Sequence, residues 1–173
     1  MKSSILLGAL GGALEQSFND PEKAPLGGVT GAVEYRPGLL VPALDNWGTC
    51  SMLWVTAGRR WRSTTFPGMT EHQTCQGQPV LEVTVGVARC STAFGDEHGN
   101  PPSADTLGRE LDVQEDDKDR LERAVCVAMA RLREERHMAN WSRGPVEVQG
   151  PEGGTVAVYV TLLVQMTKSG VAG

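Results

Sequence analysis

Leu81-Glu82-Val83-Thr84-Val85-Gly86-Val87-Ala88-Arg89-Cys90 and Gly154-Thr155-Val156-Ala157-Val158-Tyr159-Val160-Thr161-Leu162-Leu163-Val164-Gln165-Met166 bracket a charged stretch of helical periodicity from Ser103 to Met138. In the first segment Val83, Val85 and Val87 alternate with Glu82, Thr84 and Gly86, the period of a half-buried strand. The second segment is apolar on both faces and runs to about 13 residues, where five or six are usual. Strand, helix, strand reads as a small α/β (α+β) domain. The expected architecture is a mostly antiparallel sheet with a long helix packed on one face and a short N-terminal helix. So long a last strand suggests a sheet that reaches beyond its own core toward a neighbouring subunit.

The helix between these strands has a recognisable start. Ser103 is a suitable N-cap, and Asp105 falls in the first turn. Leu107, Leu111, Leu121, Val125, Ala128 and Leu132 recur at threes and fours, so this stripe is expected to face the sheet. Charge at Gln114 to Asp119 interrupts it. Two helices, 103–115 and 117–137, or one long helix kinked between them, are therefore both expected. In the two-helix reading Asp116, Asp117 and Asp119 would sit near one end of the helix dipole. Arg131, Arg133, Arg136 and His137 would sit near the other.

Outward from this centre, Ser51–Thr56 reads as a strand continuing into Gly58–Arg62, and Gly68–Pro79 as a turn-rich link. Residues 29–36 suggest a weak strand. Residues 20–48, rich in Pro and Gly, suggest an extended arm or loop. Pro145–Gln149 and 154–166 form a hairpin that turns in Gly150-Pro151-Glu152-Gly153. Residues 168–173 read as a flexible tail. Ile5, Leu6, Leu10, Ala13 and Leu14 share one face of a short N-terminal helix, expected to pack into the core. Residues 1–14 resemble a signal peptide only faintly, with one Lys and an apolar run broken by glycines. The run is also too short to span a bilayer. The chain of 173 residues is read as a single domain, 1–173, large enough to hold a core without metal.

Net charge is −5, and Arg supplies 12 of the 16 basic residues. An acidic balance argues against a dedicated nucleic-acid binder. Cys50, Cys75, Cys90 and Cys126 lack the close pairs of a zinc site. Cys90 and Cys126 fall on faces expected to be buried, as small apolar groups. A Cys50–Cys75 disulfide is an alternative to free thiols. His72 and His98 lie in polar segments and His137 at a helix end, with no nucleophile elbow or phosphate-binding glycine motif. No catalytic residue, cofactor or metal site is expected. Gly95–Asn100 reads as a turn rather than a calcium loop. The sharpest local signal is Arg59-Arg60-Trp61-Arg62. It suits a partner- or DNA-facing patch, or an exposed strand end with Trp61 turned inward. Trp47, Trp54 and Trp141 read as core or rim anchors.

In order of features the chain resembles small head-to-tail connector proteins of siphophages infecting high-GC actinobacteria, above all the tail terminator of the neck. The resemblance runs over residues 50–166. It rests on Val55–Trp61 leading to Phe66-Pro67, the strand ending Arg89-Cys90, Gly99–Ser103 before the helix, Gln114–Cys126 within it, and Gly150–Gly154 before the last strand. Residues 1–45 have no counterpart in that pattern. The resemblance implies a non-enzymatic virion protein, assembled in the host cytoplasm and resident in the neck. It would form a homo-oligomeric, hexameric ring on the last ring of the major tail tube protein and meet the head-side stopper. Genomic DNA would pass through its lumen without sequence-specific binding, and no membrane would be involved. Ring closure needs unlike patches to meet. Arg59, Arg60, Trp61, Arg62, Phe66, Glu152 and Tyr159 are the interface candidates. Two alternatives remain open. One is a stopper or tail-tube-like protein. The other is a small non-viral α/β domain that binds or catalyses through the 91–102 loop, with Asp96, Glu97 and His98.

Overall fold

A computed structural model describes residues 2–38, 51–68, 76–91, 101–152 and 154–167. Its elements are α1 (Ser3–Phe18), β1 (Val33–Pro37), β2 (Ser51–Ser63), β3 (Gln78–Cys90), α2 (Ala104–Glu134), β4 (Met138–Glu152) and β5 (Thr155–Met166). The strands form one sheet in the order β1-β2-β3-β5-β4. β1 runs parallel to β2, and every other pairing is antiparallel. This is the α+β architecture expected from the two long strands and the helix between them. α2 carries the chain from β3 across to β4, and β5 fills the gap between them.

One face of the sheet holds the core. The odd-numbered residues Leu81, Val83, Val85 and Val87 of β3 point the same way as Val158, Val160, Leu162 and Val164 of β5. Onto them pack Leu121, Val125, Met129 and Leu132 of α2, and Leu6, Leu10, Leu14 and Phe18 of α1. Ile5, expected on the buried face of α1, is instead exposed, because the apolar stripe runs 6-10-14-18. Gly11 lies in that stripe, where a Cβ would collide with the phenol of Tyr35 from β1.

The opposite face of β3 is also closed, more than its alternation suggests. Trp54, fully buried, lies across Gly86, where any side chain would meet the indole ring. Met52, Ala88 and Ala157 complete a small second cluster with Tyr159. Beside it Thr84 and Thr161 share a hydrogen bond at 3.1 Å, and Arg59 caps the carboxylate of Glu82.

Three expectations change. First, of the two readings of the charged stretch the single long helix holds, and what changes is the dipole role: α2 runs for 31 residues, so Asp116, Asp117 and Asp119 sit in mid-helix, where the dipole has no purchase. Second, the hairpin is far longer than Pro145–Gln149 implies. α2 ends with Arg136 in the left-handed region (φ 57°), and the His137 amide donates to the Leu132 carbonyl at 2.9 Å, so the chain reverses directly into β4. Third, β5 does not project beyond the sheet. β3 pairs with it from Val80↔Gln165 to Cys90↔Thr155, and its length matches that of its neighbours.

The arm is fastened to the body through residue 38, whose amide donates to the Ala57 carbonyl at 3.3 Å. The amide of Val33 donates to Glu15, and that of Thr30 to Asn19. β1 joins the sheet edge. The remaining arm residues lie outside the described ones, as do Trp47, Cys50, Cys75, His72, His98 and the tail at 168–173.

Candidate functional site

The charge that interrupts the stripe of α2 is a structural clasp. Asp117 is almost wholly buried and accepts from Arg89 of β3 in bidentate fashion, Nε at 2.6 Å and Nη2 at 2.8 Å. Nη1 of Arg89 donates to the carbonyls of Gly27 and Gly28 at 2.8 and 3.1 Å, and its guanidinium lies 6.0 Å from the Phe18 ring centre. One turn away, Arg120 pairs with Asp116 at 2.8 Å and donates to the carbonyls of Ser17 and Ala24. Asp116 also accepts from the Leu26 amide. Two Arg–Asp pairs thus bind the end of α1, the arm, β3 and α2 into one unit. Burial pushes the Asp117 carboxyl above the usual carboxylate range, and Arg89 opposes that rise. For Asp116 burial acts the same way, but the hydrogen bonds from Arg120 and Leu26 outweigh it and hold the carboxyl below its ordinary value.

Beyond the clasp, toward its N-terminus, α2 has an uncovered apolar side. Leu107 and Leu111, expected to face the sheet, are 45% and 59% exposed. They stand beside Val148 of β4, 41% exposed, along a groove that also takes in Pro151 and Val156. Behind the groove lies a cavity of about 420 Å³ lined by Val113, Val156 and Val158, with Arg89 and Asp117 at one side. Glu110 borders both spaces. Its Oε2 is shut off from solvent and has no hydrogen-bond partner among the described residues.

The interface candidates do not form one patch. Arg59, Arg60, Trp61, Arg62 and Phe66 gather at the end of the sheet opposite this groove. Arg59 pairs with Glu82 at 2.8 Å, and Arg62 donates to the Gly77 carbonyl at 3.1 Å. Arg60 is exposed and has no ion-pair partner among the described residues. Trp61 is half-buried, its indole N–H without a hydrogen-bond partner among the described residues, and Phe66 is half-buried in the turn after β2. Glu152 closes β4 opposite Thr155, at the groove's end of the molecule. Tyr159 lies mid-sheet on the second face, donating to Glu147 at 2.8 Å; that bond, with burial, raises its phenol above the ordinary value.

The burial expected of Cys90 and Cys126 is not found. Cys90 is exposed at the end of β3 and is disulfide-bonded, its partner lying outside the described residues. Cys126 is an exposed free thiol, on the side of α2 turned away from the sheet. Period-two alternation placed Cys90 correctly on β3 but could not show that cover ends there. Trp54 and Trp141 do serve as anchors, the first fully buried and the second packed on the edge of the core. Among the described residues no three metal-ligating side chains gather, and no helix is long and apolar enough to cross a membrane. Asp96, Glu97 and His98 lie outside them. Glu110 was missed because nothing in sequence distinguishes it from the other solvated acids of α2.

No family model matches the chain, and no curated protein matches it.

Proposed function

We propose that this chain is a structural subunit that works by docking, as the tail terminator of a siphophage neck. It would form a ring that caps the tail tube and joins it to the head connector, with DNA passing through the lumen. The observation that carries the reading is the first third of α2. A soluble domain gains nothing from holding Leu107 and Leu111 in water beside Val148, whereas a protein interface covers such a strip. The resemblance over residues 50–166 supplies the particular assembly. A net charge of −5 suits a lumen through which phosphates must slide rather than stick. A disulfide at Cys90 suits a particle that leaves the reducing cytosol.

Among neck proteins, an open five-stranded sheet with a 31-residue helix fits a terminator better than the small β-barrel expected of a stopper. Electron microscopy of particles lacking this protein tests the assignment. Overlong tails support a terminator. Normal tails on heads that leak DNA or fail to join point to a stopper. Normal tails and normal joining leave neither role standing.

A further inference from the structure

Cys90 is disulfide-bonded and Cys126 is a free thiol, so the partner of Cys90 within the chain is Cys50 or Cys75. Strand register decides between them. β2 and β3 pair without a break from Ala57↔Val83 to Ser51↔Arg89. One step further along this antiparallel ladder, position 50 falls opposite position 90. Opposed residues have Cα atoms about 4.5 or 5.5 Å apart, inside the span of roughly 4.4–6.8 Å that a disulfide bridges. They also share a face of the sheet: Met52 and Ala88, the rung two steps back, both belong to the second cluster. Cys75 cannot compete. It lies three residues before Gln78, which opens β3 at the end opposite Cys90. The strand holds those ends about 40 Å apart, and three extended residues recover only about 11 Å of that.

We infer that Cys90 bonds to Cys50, in a cross-strand staple that locks the end of the sheet holding the arm. Both neighbours of the staple grip the same stretch of the arm. Arg89 donates to the carbonyls of Gly27 and Gly28, and the Ser51 hydroxyl donates to that of Val29 at 3.4 Å. The pairing replaces the Cys50–Cys75 alternative and leaves Cys75 a thiol. It closes by oxidation. Each thiol gives up one proton and one electron, an S–S bond forms between them, and oxidised glutathione, the oxidant, is cleaved to two reduced glutathiones. The lock is therefore open in a reducing compartment and shut outside one. It does not depend on the neck role.

The test is a tryptic map made without reduction. Dilute full-length chain is treated with oxidised glutathione, then unfolded in the presence of N-ethylmaleimide and digested. Arg36 precedes proline and resists cleavage, so trypsin places the four cysteines in separate peptides, 24–59, 63–89, 90–109 and 124–131. Peptides 24–59 and 90–109 should appear as one linked mass, with 63–89 and 124–131 alkylated. Oxidation should also raise the melting temperature by about 10 °C, reversibly on addition of dithiothreitol. Cys50→Ser and Cys90→Ser should each abolish the link and the rise, and Cys75→Ser and Cys126→Ser should keep both. The wild-type map needs no variant to fold. Peptide 90–109 joined to 63–89 or to 124–131, or alkylated in the oxidised chain, would overturn the pairing. A linked pair whose reduction leaves the melting temperature unchanged would overturn the lock.

Discussion

The two parts of α2 share one apolar periodicity and meet opposite fates. From residue 117 onward, Leu121, Val125, Ala128 and Leu132 are sealed between α1 and the sheet. Before it, Leu107 and Leu111 continue the same three-and-four spacing into solvent. The divide is the clasp. Asp116, Asp117 and Arg120 use α2 to hold the arm and α1 in place, and beyond them no further element covers the helix among those described. Periodicity therefore tells which side of a helix wants cover. What supplies the cover depends on the lengths of the neighbouring elements.

The sharpest way to break the comparison is to attack the clasp. Arg89→Ala should cost about 3–5 kcal/mol in urea unfolding, because it leaves Asp117 charged, buried and unpaired. The pair replacement Arg89→Met with Asp117→Leu should cost far less than the two single changes added together. A single Arg89→Ala change costing under about 1 kcal/mol would reduce the clasp to a surface ion pair. Next come matched truncations along the stripe. Leu121→Ala should destabilise the monomer by about 2–5 kcal/mol. Leu111→Ala should stay within about 0.5 kcal/mol yet weaken self-association. Equal losses at the two positions would mean that Leu111 is core after all.

A smaller effect is expected at the outer pair. Arg120→Ala removes donors to Asp116, Ser17 and Ala24 and should cost about 1–3 kcal/mol. Hydrogen exchange should show Leu26 and its neighbours losing protection while β3 and β5 keep theirs; uniform loss would contradict a local clasp. The pair also predicts acid behaviour. The Asp116 carboxyl is depressed in the folded state, so its stabilisation is present above the unfolded value and disappears as pH falls through the folded one. Asp117 is raised, so it takes up its proton first on acidification and in the opposite sense, favouring the folded state as it does so. Asp116→Asn should therefore flatten the acid loss of stability.

The smallest effect concerns the second face. The Tyr159 phenol is raised by its bond to Glu147, so its contribution is complete below the unfolded value near 10.0 and fades as pH climbs through the folded one. Tyr159→Phe should make stability less steep above that pH. An unchanged alkaline slope would show that the hydrogen bond contributes nothing in solution.

The fold class was legible because β3 and β5 announce themselves by alternation and β-branched content, and α2 by its cap and stripe. The parallel edge strand β1 was visible only as a weak tendency at 29–36. The early start of β4 was hidden because Arg136 ends α2 in a conformation that sequences usually mark with glycine. Local reasoning treated Asp116 and Asp117 as helix-end charges, since their partners Leu26 and Arg89 lie 90 and 28 residues away. Of the interface candidates, the Arg59–Phe66 cluster was legible as a local motif. The shielded carboxylate of Glu110 was not, because a carboxylate's burial depends on what lies next to it in space.

The clasp also sets an order on the making of the protein. Ser17 and Arg120 are joined although 103 residues separate them, so the end of α1 and the first part of the arm gain their tie to α2 only when its middle has been synthesised. A nascent chain arrested before residue 120 should leave its first 30 residues open to protease. Native acquisition is then a late event, governed by long-range closure rather than by the early helix.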